Sequence, residues 1–280
     1  MKNDNIKIIQ ASNPIGAFIE GVQLSEINDE VTINKIYEAF LKYQVIFFRN
    51  QNLTETEYLT FAKKIGKPIM YPFVKGLEKF PEIIPILKKK TDVNNFGGIW
   101  HSDTSYLNEP PKGTMLYAIE LPKKGGDTEF SNQYLAYENL SDDMKVFLNN
   151  KTALNISGKE DATKTRSDLR KHSSTEIKSD ELKAIHPVIR THPETKKQSL
   201  YINIAHTQHF TDMSIKESVP ILEFLFNHQI KYEFTYRFKW EKGSIAIWDN
   251  RCTLHNPIND YHGERRLMHR ITFQGGKPIR

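Results

Sequence analysis

Short stretches of strand type recur from residue 115 onward in this 280-residue chain: Met115–Glu120, Val188–Thr191, Leu200–Ile204, Tyr232–Phe238, Ser244–Trp248 and Leu267–Phe273. Each is rich in β-branched and aromatic residues and bounded by Gly, Pro, Asn or Asp, which is how strands joined by tight turns read. Few helical patterns interrupt them. Such a chain folds into a β-sandwich or jelly roll, so the expected class is mainly β with flanking helices (α+β). Val45–Arg49 adds a further apolar strand, preceded by a helical pattern through Ile36, Phe40 and Leu41. Thr54 with Glu57, and Ser214 with Glu217, form capping boxes that open helices. Gly66 should end the first, and Val219–Phe226 lies within the second. The stretch His192–Lys197 reads as a turn between paired strands.

No repeat or low-complexity linker divides the chain, which predicts one domain over 1–280. The segment Gly158–Lys183 differs in kind, being charged and poor in large apolar residues. It is either a loose surface loop or a mobile lid.

The only cysteine, Cys252, excludes an internal disulfide and fits a reducing cytosol. The N-terminal MKNDNIKIIQ lacks the apolar run of a signal peptide, and no stretch reaches the roughly 18 apolar residues of a membrane helix. A cytoplasmic protein with no membrane partner is expected. The net charge of +5 raises the question of nucleic acid. Its positive residues are spread, however, and the longest lysine run is only Lys88–Lys90, which argues against a nucleic-acid partner. A mild positive field would favour small anions, or the lysines simply form a solvated surface.

The chemistry-bearing residues separate by context. Three His-x-Asp/Glu triplets occur: His101-Ser-Asp103, His192-Pro-Glu194 and His262-Gly-Glu264. His192 falls in the predicted turn and His262 beside a glycine, so both read as solvated. His101 and Asp103, two apart at a strand's edge, would present both side chains on one face. A third ligand is offered by His255, which follows the apolar strand Ser244–Trp248 in WDNRCTLH. Two histidines and one carboxylate make the open facial triad of non-haem Fe(II) oxygenases, although a zinc hydrolase would use the same donors. Arg266 and Arg270, four apart, share one face of the last strand. Buried there, they need anions, supplied either by structural Asp or Glu or by bound carboxylates. Cys252 carries no sign of thiolate activation and reads as a small packing residue.

Taken together, WHSD, GGDTEFSN, HPVIRTHP, IWDNRCTLHNP and RRLMHRITF resemble the TauD/TfdA family of Fe(II)- and 2-oxoglutarate-dependent dioxygenases. The likeness spans nearly the whole chain and is nearest to taurine dioxygenases over its last third. It implies a double-stranded β-helix, a cupin-like jelly roll. It implies that His101, Asp103 and His255 hold Fe(II), and that Arg266 and the Thr128 hydroxyl hold the distal carboxylate of 2-oxoglutarate. By the same likeness Arg270 meets an anionic substrate, and O2 is consumed with release of succinate and CO2. Trp248 would pack near the metal, while Asp249 and Asn250 either support the shell around it or serve the fold. Homodimers or homotetramers occur in such families.

The pattern departs from taurine enzymes in the substrate pocket. Tyr71 stands on the loop where they carry a histidine, Gly97 where they carry an asparagine, and His206 where they carry a pocket aromatic. A sulfonate-like or carboxylate substrate other than taurine is therefore expected. Other readings are hydroxylation or desaturation of an amino-acid-like compound, and a non-catalytic jelly-roll metabolite-binding module. Halogenation is disfavoured because Asp103 occupies the position a halide would need.

Overall fold

The computed structural model describes residues 6–178 and 182–280. The first five residues of the N-terminal stretch, and residues 179–181 of the 158–183 segment, lie outside the described residues. The chain opens with β1 (Lys7–Gln10), β2 (Ala17–Glu20), α1 (Glu30–Tyr43), β3 (Val45–Phe48), α2 (Glu55–Ile65), β4 (Pro68–Ile69) and β5 (Ile84–Lys88). The middle holds β6 (Gly113–Glu120), β7 (Thr128–Asn132), α3 (Gln133–Glu138), α4 (Asp142–Leu148), β8 (Thr152–Ile156), α5 (Glu160–His172) and β9 (Lys183–Pro187). Then come β10 (Ile189–Thr191), β11 (Gln198–Leu200), β12 (Thr207–Phe210), α6 (Ile215–His228), β13 (Thr235–Phe238), β14 (Ile245–Asp249), β15 (Thr253–Pro257) and β16 (Arg266–Phe273).

The major sheet runs β1-β2-β3-β14-β6-β16-β4, with β5 also paired to β16; a smaller sheet, β13-β7-β15, faces it. This is the jelly roll. The strands β3, β6, β14 and β16 are almost continuously buried because both faces of the major sheet are covered. Ile46, Phe48, Met115, Tyr117, Ile245, Ile247, Ile271 and Phe273 pack outward under α1 and α2. Their neighbours Val45, Phe47, Leu116, Ala246, Trp248 and Met268 point inward, against Phe130 and Phe238 of the small sheet. The period of two thus sorts each strand between two cores, and the site lies at one end of the inner one.

The capping residues set the helices. Asp29 accepts the Thr32 amide at 2.8 Å to start α1, and both capping boxes are formed at α2 and α6. Gly66 follows α2 in an extended conformation. The turn at 192–197 joins the antiparallel pair β10–β11 as expected.

Two strand expectations need trimming. Of Leu200–Ile204 only Leu200 is in a strand. Beyond it the Asn203 side chain accepts the His206 amide at 2.9 Å, a local turn that competes with sheet pairing. In Tyr232–Phe238 the first three residues form a 3-10 turn and only Thr235–Phe238 is strand. The 158–183 segment is no featureless loop, since it contains α5. Ala162, Arg166 and Leu169 bury one thin stripe of that helix, too sparse to stand out among its charges. Asp168 fastens α5 to a neighbouring loop by accepting the Val93 and Asn94 amides at 3.0 and 2.7 Å.

Candidate active site

His101 and His255 meet across an isolated antiparallel bridge, with each backbone amide donating to the other's carbonyl. This bridge ties the loop between β5 and β6 to β15 and sets the two rings 4.1 Å apart. Asp103 lies in the turn that follows, not on a strand edge, yet its side chain still turns back to the histidines. One donor atom from each of His101, Asp103 and His255 lies within 4.8 Å of the other two, and all three residues are buried. Asp103 Oδ1 is 3.5 Å from His101 Nε2 and 3.8 Å from His255 Nε2.

The protonation pattern suits a cation. His101 Nδ1 lies 2.7 Å from the Ile99 carbonyl, which accepts its proton and leaves Nε2 with a free lone pair. Burial pushes His255 well below its usual value and His101 beside it adds to the effect, so the ring stays neutral. Burial alone would raise Asp103, but Arg270, His255 and His101 outweigh it and hold the carboxyl well below its ordinary range. Two imidazoles and one carboxylate on one side of a small space are a donor set for a divalent iron, with the other positions open.

A polar chain fixes the carboxylate. Thr114 donates to Asp103 Oδ2 at 2.6 Å, and Asn250 Nδ2 donates to the Thr114 hydroxyl at 2.9 Å. Asn250 Oδ1 accepts the Trp248 indole at 2.9 Å, and the Trp248 ring packs 4.6 Å from His255. Trp248 and Asn250 therefore do surround the triad. Asp249 does not. It points the other way, to Arg251 at 2.7 and 2.8 Å and to His192 at 3.0 Å.

His192 is accordingly not solvated but fully buried. Its Nδ1 accepts the Glu194 and Thr195 amides, so Nε2 carries the proton given to Asp249. Arg251 also pairs with Glu194, and this network clamps the 192–197 turn to the end of β14. A turn ordinarily exposes its residues, but here a buried carboxylate 57 residues away draws the imidazole inward. His192, Asp249 and Cys252 also cluster closely, but Arg251 already compensates the carboxylate and burial pushes the thiol up. They form a structural knot. His262 is exposed, as expected.

Arg266 and Arg270 both point inward from β16 and are buried. Their surroundings differ. Arg270 Nη2 lies 2.9 Å from Asp103 Oδ1. Arg266 has no carboxylate within ion-pair distance among the described residues, and its Nε and Nη2 lack any hydrogen-bond partner. It sits between the rings of Trp240 and Tyr261, 6.0 and 5.9 Å away. Thr128 lines the same cavity with Trp248, His255 and His101. The Trp240 indole donates to the Thr128 hydroxyl at 2.9 Å, leaving that hydroxyl's own proton free to donate into the cavity. Gly125 and Gly126, both at positive φ, bring the chain close to Asp260 and Arg266, and Asp260 accepts the Gly126 amide at 2.7 Å. Lys88, opposite Arg266 in the sheet, is buried with its ammonium 4.8 Å over the Tyr261 ring, so this lysine leaves the solvated surface.

A second cavity adjoins the first across His101, Gly97, Phe96 and Arg270. Tyr71 and His206 line it, together with Asp103, Tyr106 and Arg166. The Tyr71 ring lies 5.1 Å from the Arg270 guanidinium, and His206 stacks edge-on to Tyr106 at 4.8 Å. Gly97 has a steric reason: φ is +73° and a Cβ there would sit 2.9 Å from the His101 ring. Tyr71, His101, Asp103, Thr128, His206, His255, Arg266 and Arg270 are thus brought to one joined cavity. Sequence reading missed Thr114, Trp240, Tyr106 and Arg166, which carry no motif of their own.

The strands thus close around two histidines and one carboxylate that could hold a metal ion, beside an arginine with no carboxylate in ion-pair reach among the described residues. The model of the taurine catabolism dioxygenase TauD, TfdA family matches residues 7–272, and the chain belongs to that family. It is 32% identical over 279 residues to an alkylsulfatase of Acinetobacter baylyi, covering 96% of this chain and 85% of that protein. An alpha-ketoglutarate-dependent sulfate ester dioxygenase of Pseudomonas putida is 30% identical, with 95% and 88% covered. The crystal structure of a taurine dioxygenase from Burkholderia xenovorans superposes with a TM-score of 0.83 at 31% identity, covering 98% of this chain and 92% of that one.

Proposed function

We propose that the protein is an Fe(II)- and 2-oxoglutarate-dependent dioxygenase that hydroxylates a small anionic compound of the sulfonate or sulfate-ester type. His101, Asp103 and His255 would hold the metal. Arg266 and Thr128 would hold the far carboxylate of 2-oxoglutarate, and Arg270, with Tyr71 and His206 around it, the anion of the substrate. The observation that carries this reading is Arg266. A guanidinium sealed in a cavity with unpaired donors is costly unless an anion arrives, and the cavity leads to the triad. When bound, the iron with O2 and 2-oxoglutarate supplies the oxidising power, in a balance that yields succinate, CO2 and hydroxylated substrate.

The chain's own residues position and exclude. Thr114 and Asn250 keep the Asp103 carboxylate turned to the histidines. The Ile99 carbonyl keeps the His101 lone pair facing inward. Trp248, Phe130 and Leu116 keep water from the inner cavity, which strengthens every charge interaction there. A substrate anion on Arg270 would lie beside the triad, because Arg270 is already 2.9 Å from Asp103. Hydroxylation at the carbon bearing a sulfonate or sulfate group would let that group leave afterwards. The relatives that act on sulfate esters support this substrate class. With its single, buried cysteine, we assign the reaction to the cytoplasm. Among the described residues no helix is long and apolar enough to cross a membrane.

The test is succinate formation from 2-oxoglutarate and Fe(II) across a panel of alkyl sulfates, sulfonates and carboxylates. Asp103→Ala and His255→Ala should each reduce substrate-dependent succinate to background. Full activity in either variant overturns the assignment.

A further inference from the structure

The substrate cavity contains a second buried cation that the reading above leaves unused. Arg166, on α5, is only 4% exposed. One of its Nη atoms donates to the Ser157 carbonyl, and its Nε has no partner. Among the described residues no carboxylate lies within ion-pair distance of it. Its guanidinium lies 4.9 Å over the Phe73 ring, while Arg270 lies 5.1 Å over the adjacent Tyr71 ring; the two rings meet edge-to-face, 5.8 Å apart. Both arginines therefore line a single cavity, Arg270 at the Tyr71 ring and Arg166 against Phe73, which is buried behind that lining. Among the described residues Asp103 is the only acidic one lining that cavity, and it is held among the two histidines and Arg270.

Charge accounting then constrains the occupant. A monoanion on Arg270 leaves Arg166 buried and uncompensated, a costly state in a low-dielectric pocket. A partner ring and one carbonyl attenuate that cost without neutralising the charge. Two guanidiniums at different points of one cavity lining suit two acid groups joined by a short spacer better than one acid group shared.

Building on the proposed dioxygenase reading, we infer that the substrate is a short-chain dianion, such as a disulfonate or a sulfonated or sulfated carboxylate. Its first acid group binds Arg270 near the triad and its second binds Arg166. Tyr71 and Tyr106 flank the spacer between them. Because Arg166 belongs to α5, the second acid group also fastens that helix over the cavity.

The experiment is calorimetric binding of two probes, 1,3-propanedisulfonate and 1-propanesulfonate, to the protein loaded with Mn(II) and 2-oxoglutarate. The unaltered protein should prefer the disulfonate at least about tenfold, the worth of one charge-assisted contact. Arg166→Gln should bring that ratio to about one, and Arg166→Lys should restore part of it. Equal affinity for both probes in the unaltered protein, or an unchanged ratio in Arg166→Gln, overturns the inference. Thermal unfolding and retained 2-oxoglutarate binding show that the variants are folded. Failure of the unaltered protein to bind 2-oxoglutarate with Mn(II) would instead strike the dioxygenase reading itself.

Discussion

Arg266 and Arg270 leave the same strand on the same side, four residues apart, and enter unlike surroundings. Around Arg266 much of the wall is strand, with Thr128 on β7, His255 on β15 and Trp248 on β14, and the rings of Trp240 and Tyr261 close it. Among the described residues no carboxylate reaches ion-pair distance of it, so the pocket would suit a carboxylate brought from outside. Around Arg270 the wall is made of the loops carrying Tyr71, His101–Tyr106 and His206, and of the helix α5. There Asp103 already supplies a counter-charge. A strand-built half is fixed by the sheet and suits a co-substrate that never changes. A loop-built half can alter its side chains without disturbing the sheet, and Tyr71, Gly97 and His206 all belong to it.

The largest test of that contrast exchanges the two arginines' roles. Arg266→Ala should raise the KM for 2-oxoglutarate by about a hundredfold, as loss of a charge-assisted buried contact implies, and leave the substrate KM within a fewfold. Arg270→Ala should do the reverse. If both variants act only on 2-oxoglutarate, the two halves are not distinct.

Acid should strike the loop-built half first. His186 supports that half from behind, lying 2.9 Å from the Leu107 carbonyl, and burial lowers it to about 4. The folded state thus holds it neutral where the unfolded chain, near 6.5, begins to bind a proton. Its contribution to stability is full above about pH 6.5 and falls progressively toward pH 4, by up to about 3 kcal/mol. Urea midpoints of the metal-free protein should drop over that window, and His186→Gln should flatten the slope. An unchanged slope in the variant would remove His186 from the account.

Thr114→Val sharpens the comparison at its centre, where the two halves share Asp103. Losing the hydroxyl that holds Asp103 Oδ2 should weaken Mn(II) binding by about tenfold to a hundredfold, the usual cost of removing an outer partner of a metal ligand. Affinity equal to that of the unaltered protein would show that the triad needs no such support.

The difference between the halves also explains what the sequence could reveal. Strand residues follow a period of two, so the shared inward face of Arg266 and Arg270 was legible from spacing alone, and the separated motifs placed His101, Asp103, His255 and Thr128. Both capping boxes announced their helices. Thr114 and Trp240 were hidden because their roles arise from neighbours 11 and 112 residues away. Arg166 was hidden differently, in a helix whose buried stripe is only three or four residues wide in a charged segment. His192 misled because a turn ordinarily exposes its residues, and the Asp249–Arg251 pair that draws it inward is tertiary.

The most direct measurement is a crystal structure with Mn(II) and N-oxalylglycine, an unreactive stand-in for 2-oxoglutarate. The metal should be bound by His101, Asp103 and His255, with the far carboxylate of the analogue on Arg266 and the Thr128 hydroxyl and the Arg270 side of the cavity left for substrate. A carboxylate seated on Arg270 with Arg266 bare, or a metal held instead by His192 and Asp249, would contradict the account.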